Sequence, residues 1–121
     1  MITRAEILKG QEVSADLEPL LIDYLERINR LRAVYGRPMY VTSGYRSREY
    51  NAQIGGAANS AHCVCQAADF ADNDAALKNW ILENVSVLAA CDLYCEDFAA
   101  TPGWVHIQSR PVPSGNRIFK P

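Results

Sequence analysis

The sequence predicts an α+β fold, a small antiparallel β-sheet flanked by helices, in one domain covering residues 1–121. Apolar residues recur at helical spacing over residues 16–35, which indicates one long amphipathic helix. Short runs rich in strand-forming or apolar residues, at 39–43, 67–71 and 104–108, are separated by turn residues. At 121 residues, with 49% hydrophobic and 21% charged residues, the chain has the composition of a single globular domain.

Two helices are predicted in the N-terminal third. Thr3 and Glu6 have the spacing of a capping box, which predicts a short helix to about Lys9. The long helix begins near Asp16, has a proline in its first turn, and ends at Tyr35 because glycine and proline follow. Its apolar stripe, which we expect to face the core, comprises Leu17, Leu20, Leu21, Tyr24, Leu25, Ile28, Leu31 and Tyr35.

The middle of the chain alternates strands and irregular segments. We expect a strand at 39–43, a turn at Gly44, a short helix within 46–54 and a glycine-containing loop at 55–62. The mostly apolar segment 67–71 predicts a buried strand.

The last third is expected to contain one helix and a hairpin. Asp74 is the predicted cap of a helix that runs to about Val85. Strands at 92–96 and 104–108 are predicted to pair, and the tail from Pro111 onward is predicted to be irregular.

Charge and composition exclude several classes of function. The net charge is −2 and the twelve Lys and Arg residues are scattered, so nucleic-acid binding is disfavoured. No segment is apolar enough to span a membrane, and the N-terminal twenty residues lack the apolar run of a signal peptide. We therefore expect synthesis in the cytoplasm, with four free thiols rather than disulfides.

A metal site is the main chemical hypothesis. The chain has two histidines, His62 and His106, and Asp69 begins an apolar stretch in which an unpaired carboxylate is costly. Catalytic zinc takes three ligands of these types and leaves a fourth position for water. On spacing alone, histidines satisfied within the core remain the alternative.

The stretches VTSGYRS, IGGAANS, SAH…AADF and GWVHIQ, in this order, carry a resemblance to a known family. They resemble the zinc D-Ala-D-Ala carboxypeptidase and L-Ala-D-Glu endopeptidase family, whose fold is shared with the zinc-binding part of Hedgehog signalling domains. The most specific part is the S-x-H-x6-D block followed by W-x-H. The resemblance implies zinc as cofactor and His62, Asp69 and His106 as its ligands. It also implies that Arg46 faces the substrate.

Other residues are given supporting roles. Arg46 would bind the carbonyl oxygen as negative charge develops on it. Ser60 and Tyr45 are candidates for positioning the peptide, and Trp104, on the same strand face as His106, for walling the site. The alternatives are a surface salt bridge for Arg46, a turn hydroxyl for Ser60 and core packing for Trp104.

The sequence departs from the family at two positions. Cys65 occupies a place where the family commonly has glycine, which costs of order 1 kcal/mol if φ is positive there. Gly103 stands where many relatives have the acidic general base. Because antiparallel pairing would bring Glu96 close to His106, Glu96 is the candidate base and Asp97 the reserve.

The four cysteines offer a different metal hypothesis. Cys63, Cys65, Cys91 and Cys95 could form a structural four-thiolate zinc site, although their spacing is unlike the usual C-x2-C knuckle. The simpler interpretation is free thiols in small apolar spaces.

The resemblance implies a peptidase that cuts the stem peptide of bacterial peptidoglycan, as a carboxypeptidase or an endopeptidase. A compact chain without a signal peptide suits a phage-type lytic enzyme that acts at the wall after lysis or within a virion, where virion proteins would be partners. The alternative, motivated by Gly103, is a zinc-containing peptidoglycan-binding module without turnover.

Overall fold

The computed structural model describes residues 1–121 and contains five α-helices and one five-stranded sheet. The helices are α1 (Arg4–Leu8), α2 (Glu18–Tyr35), α3 (Arg48–Gln53), α4 (Ala76–Glu83) and α5 (Val85–Ala90). The strands are β1 (Val41–Ser43), β2 (Ala67–Ala71), β3 (Tyr94–Glu96), β4 (Trp104–Gln108) and β5 (Ile118–Phe119). Two short 3-10 helices cover Ala61–Val64 and Phe98–Ala100. None of the helices has the length and apolar character that crossing a membrane requires.

The sheet has the strand order β1-β2-β4-β3-β5. The first four strands pair antiparallel, including the predicted β3–β4 hairpin, so the α+β prediction is confirmed. The prediction of an irregular tail is wrong at β5, which pairs parallel with β3 and makes the sheet mixed. A two-residue strand carries no periodic signal, and its formation depends on the neighbouring edge.

The predicted capping box is present at the start of α1. The Thr3 hydroxyl accepts from the Glu6 N–H and the Glu6 carboxylate accepts from the Thr3 N–H, both at 3.2 Å. The long helix α2 is also confirmed, although it begins at Glu18, two residues after the predicted start. Its fully buried positions are Leu21, Tyr24, Ile28 and Leu31.

Around α4 the structure corrects the sequence prediction. The Asp72 carboxylate, rather than that of Asp74 alone, accepts from the N–H groups of Leu77 and Lys78, both at 2.9 Å. Asp74 accepts only from the Ala76 N–H, at 3.1 Å. The predicted helix ends at Glu83, about two residues early, and a second helix that was not predicted, α5, begins at Val85.

The two faces of the central strands have different environments. Phe70 of β2 and Val105 and Ile107 of β4 point into a core of 19 buried residues that includes the stripe of α2. The Tyr24 hydroxyl donates to the Ile107 carbonyl at 2.9 Å and ties α2 to β4. Because side chains alternate along a strand, Asp69 and the polar residues of β4 lie on the opposite face.

Candidate metal centre

Three predicted ligands meet on the polar face of the sheet. Asp69 of β2 lies directly opposite His106 of β4 in the antiparallel register, and His106 Nδ1 is 2.8 Å from Asp69 Oδ1. His62 comes from the 3-10 helix that precedes β2, and its Nε2 is 3.2 Å from the same oxygen. All three residues are buried, and they form the chain's one cluster of three or more potential metal ligands.

A backbone carbonyl fixes the orientation of His62. Its Nδ1 lies 2.8 Å from the Gly44 oxygen. Because a carbonyl can only accept, Nδ1 carries the proton and Nε2 presents a lone pair to the site. Only glycine fits at position 44, because a Cβ there would lie 2.2 Å from the Ile7 oxygen.

A side-chain amide fixes the orientation of His106. Gln108 Nε2 donates to the Arg110 carbonyl at 2.9 Å, which directs Gln108 Oε1 to His106 Nε2, 2.8 Å away. Nε2 therefore donates to Gln108, and Nδ1 is the nitrogen that faces Asp69. Hydrogen bonds of this kind hold metal-binding histidines in one tautomer and raise their basicity.

The donor set fits a zinc ion. With both ring protons directed outward, His62 Nε2, His106 Nδ1 and Asp69 Oδ1 point lone pairs at a common space, which is repulsive without a cation or a proton between them. Asp69 Oδ1 lies 3.2 Å from His62 Nε2 and 2.8 Å from His106 Nδ1. These distances are near the roughly 3.3 Å that separates two ligand atoms of a tetrahedral zinc ion when each lies about 2.0 Å from the metal. Two imidazoles and one carboxylate are the ligand types of catalytic zinc.

Electrostatics favour an ionised Asp69. Burial opposes its ionisation. When each imidazole of metal-free protein carries a second ring proton that points at the carboxylate, the hydrogen bonds from His106 and His62 outweigh burial and lower the Asp69 pKa to about 2. Burial also disfavours the charged form of His106, yet its contacts with Asp69 and Gln108 raise the pKa of His106 overall. The carboxylate is therefore available as a ligand throughout the physiological range, whereas a metal must displace protons from the imidazoles.

Arg46 lies beside the ligand cluster. Its Nη2 is 3.4 Å from Asp69 Oδ2, its Nε donates to the Ser43 hydroxyl at 3.1 Å, and its Nη1 is 3.4 Å from Asn51 Oδ1. The guanidinium lines the cleft of about 370 Å³ that contains the three ligands. Arg46 is thus held at the cleft by side chains from β1, α3 and β2.

Glu96 also lines this cleft, whereas Asp97 does not. Cys95 pairs with Ile107 across the hairpin, so the next position along β3 brings Glu96 beside His106 on the polar face. The charge of Glu96 contributes to the raised pKa of His106. The Asp97 carboxylate instead accepts from the Ala99 N–H at 3.2 Å as a helix cap.

The remaining predicted site residues divide between two places. Ser60 and Trp104 line the cleft, and the Ser60 hydroxyl accepts from the His62 N–H at 3.2 Å and so also caps the 3-10 helix. Tyr45 does not line the cleft. Its side chain packs against the core beside a separate depression, so the structure does not bring it to the ligands.

Sequence reasoning missed three residues of the site. Gln108 and Gly44 orient the histidines, and Phe119 of β5 lies edge-on to His106 with ring centroids 6.3 Å apart. Side chains alternate along a strand, so the sequence could have predicted that Gln108, two residues after His106, lies on the same face. No sequence pattern predicts the position of Phe119, because it depends on the pairing of β5.

The thiols do not form a metal site. All four cysteines are free and buried, and none belongs to a cluster of three potential ligands. Cys65 has φ 59°, the left-handed conformation that explains why glycine is expected there. Its side chain is fully buried, burial raises the pKa of its thiol to about 11, and the ligand cluster forms despite the backbone strain.

Comparison with known proteins gives one positive finding. The family model for Peptidase M15, a family of zinc-dependent D-Ala-D-Ala carboxypeptidase-like enzymes, matches residues 2–108. Searches of curated proteins and of solved structures found no match. The matched segment contains all three candidate ligands, Arg46 and Glu96, and the chain belongs to the peptidase M15 family.

Proposed function

We propose that this M15 peptidase hydrolyses one peptide bond of the peptidoglycan stem peptide, as a carboxypeptidase or an endopeptidase. The observation that carries the proposal is the convergence of His62, Asp69 and His106 in an open cleft that Glu96 and Arg46 also line. Family membership supports zinc chemistry and peptidoglycan peptides as substrates.

Each protein group has a distinct task in the proposed reaction. When bound, zinc supplies a Lewis acid that polarises the scissile carbonyl and acidifies water. Glu96 acts as general base toward the attacking water and then returns the proton to the leaving amine. Arg46 donates to the carbonyl oxygen, and this contact strengthens as negative charge develops there. Trp104 and Phe119 bound the cleft on its apolar side.

The choice of Glu96 as base rests on its place in the cleft. Asp97 follows it in sequence, but its carboxylate is engaged by the Ala99 N–H and lies outside the cleft lining. Gly103 at the position where relatives carry an acid offers no side chain. We therefore assign proton transfer to Glu96, which would act from a strand adjacent to β4.

The test is hydrolysis of purified stem peptides, followed by mass spectrometry to identify the bond. We expect release of new amino groups by zinc-loaded protein, loss of activity with a chelator and recovery with zinc. Glu96→Gln should retain zinc but reduce kcat by about 100-fold or more, because general base catalysis typically contributes that much. The exposed Glu83→Gln serves as the matched control.

The absence of an acid at Gly103 favours one alternative, a peptidoglycan-binding module that holds zinc without turnover. This function predicts stoichiometric zinc and retention on isolated walls, with no bond of any wall type cleaved. Cleavage that Glu96→Gln removes while zinc remains bound would exclude the alternative.

The proposed substrate implies a place of action. Peptidoglycan lies outside the cytoplasmic membrane, so we propose action at the cell wall, after lysis or as part of a virion, in the manner of phage-type lytic enzymes. Expression with and without a separate lysis protein tests it: wall damage only after membrane disruption is expected, and wall damage without it would contradict the proposal.

A further inference from the structure

The C-terminal segment from Ser109 to Pro121 lies outside the region matched by the family model, yet it is fixed beside the metal cleft. The Cys95 N–H donates to the Arg117 carbonyl and the Asp97 N–H to the Phe119 carbonyl, each at 2.7 Å. This pairing places Phe119 next to Glu96 in the sheet. The segment is therefore held at the edge of the candidate active site.

A groove of about 680 Å³ runs between this segment and the body of the protein. It is continuous with the metal cleft, because the two share the lining residues Asn59, Gln108, Arg110, Phe119 and Pro121. A peptide whose scissile bond lies at the ligand cluster can therefore extend into the groove.

The groove carries two cationic side chains. Arg110 and Lys120 line it, and no acidic side chain does. Neither residue forms an ion pair with a carboxylate of the chain, whereas Arg4, Arg27, Arg46 and Arg117 all do.

One hydrogen bond fixes the Arg110 side chain and leaves most of its N–H groups without a partner. Its Nη2 donates to the Asn59 carbonyl at 2.6 Å, and this is the one hydrogen bond that its guanidinium makes. The side chain is only partly exposed. A guanidinium has five N–H donors in a planar fork that matches a carboxylate, and most of those of Arg110 have no partner in the chain.

We propose that Arg110 binds a free carboxylate of the substrate in this groove and is a specificity-determining residue, with Lys120 adding attraction at longer range. The inference rests on the proposed function and names the chemistry that one side of the cleft recognises. An arginine without an ion pair in the chain and partly removed from solvent can bind a carboxylate through charge-assisted, bidentate hydrogen bonds. In a stem peptide the carboxylate is either the terminal one or that of the D-Glu residue.

The experiment compares three synthetic stem peptides: unmodified, amidated at the terminal carboxyl, and amidated at the D-Glu carboxyl. Calorimetric titration into metal-free protein measures binding without turnover, and kcat and KM are measured on zinc-loaded protein. We expect one of the two amidations to weaken binding about 10- to 100-fold and to raise KM rather than lower kcat. The amidation that does so identifies which carboxylate is bound.

Arg110→Ala should weaken binding of the unmodified peptide by a similar factor and leave the sensitive amidated peptide unchanged. Arg48→Ala is the matched control, because Arg48 is exposed and likewise donates a single hydrogen bond, to the neighbouring Ala58 carbonyl. Lys120→Ala should have a smaller effect that salt suppresses.

Two results would overturn the inference: equal binding of all three peptides by the unmodified protein, or equal weakening of all three by Arg110→Ala. The second would mean that Arg110 only supports the Asn59 loop. Carboxylate-dependent binding without hydrolysis would contradict the proposed function while supporting this inference, so the two failures are distinguishable.

Discussion

Replacement of Gln108 by alanine removes the oxygen that accepts the Nε2 proton of His106. In the native protein this hydrogen bond measures 2.8 Å, and Gln108 is itself fixed by the Arg110 carbonyl at 2.9 Å. Gln108 is 6% exposed, so bulk water does not readily take its place. The variant leaves His106 free to carry its proton on Nδ1, the nitrogen required for the metal.

The expected loss is one of zinc affinity rather than of folding. Removing a group that orients a metal-binding histidine typically weakens metal binding about 10- to 100-fold. This corresponds to about 1.4 to 2.7 kcal/mol of binding free energy. Gln108→Glu keeps an oxygen acceptor for the same proton, so much of the loss should be recovered.

Competition with a chromophoric chelator measures the zinc affinity, and the ¹⁵N resonances of the His106 ring report its tautomer. The matched control is Gln53→Ala, which truncates an exposed glutamine of α3. Unchanged zinc affinity in a folded Gln108→Ala protein would refute the assigned orientation of His106.

Four further predictions concern the packing and the pKa shifts of buried groups. Gly44→Ala places a methyl group 2.2 Å from the Ile7 oxygen and should lower the free energy of unfolding by roughly 1–3 kcal/mol in denaturant titrations; unchanged stability would contradict the close approach. In metal-free protein the lowered pKa of Asp69, about 2, stabilises the fold above its unfolded pKa of about 3.9, and this contribution is lost as pH falls toward 2. In metal-free protein the raised pKa of His106 contributes stability that is fully present below the unfolded pKa of about 6.5 and is lost as pH rises through the folded value. The zinc-induced rise in Tm should therefore be larger at pH 7.5 than at pH 5.5. Equal rises at the two pH values would contradict this. At pH 8 a thiol reagent should modify buried Cys65 and Cys95 only after unfolding, because burial raises both thiol pKa values, and rapid modification of native protein would contradict their burial.

The sequence predicts elements whose signal is local. The capping box at Thr3 and Glu6 and the apolar stripe of α2 depend on spacing within one segment, and both occur in the structure. The predicted strand at 92–96 begins two residues later because Asp92 adopts a left-handed conformation. Helix α5 was missed because its two valines disfavour a helix locally, and packing overrides that preference.

In the site, too, features with a local sequence signal were predicted and those that depend on distant packing were not. Residue types and the family resemblance were enough to name His62, Asp69 and His106 as a group that could hold a metal, and hairpin geometry was enough to place Glu96 beside His106. Tyr45 lies outside the cleft lining, because its neighbour Arg46 turns toward the ligands while Tyr45 packs on the core. The groove beside Arg110 could not be predicted, because it depends on the docking of β5 against β3.

X-ray absorption at the zinc edge of the zinc-loaded protein identifies the atoms that bind the metal. We predict a first shell of nitrogen and oxygen at about 2.0–2.1 Å, with the imidazole scattering of two histidines. His106→Ala should remove one imidazole and reduce the zinc affinity. A sulfur shell at about 2.3 Å, or a spectrum unchanged by the His106 substitution, would contradict the assignment of His62, Asp69 and His106 as the zinc ligands.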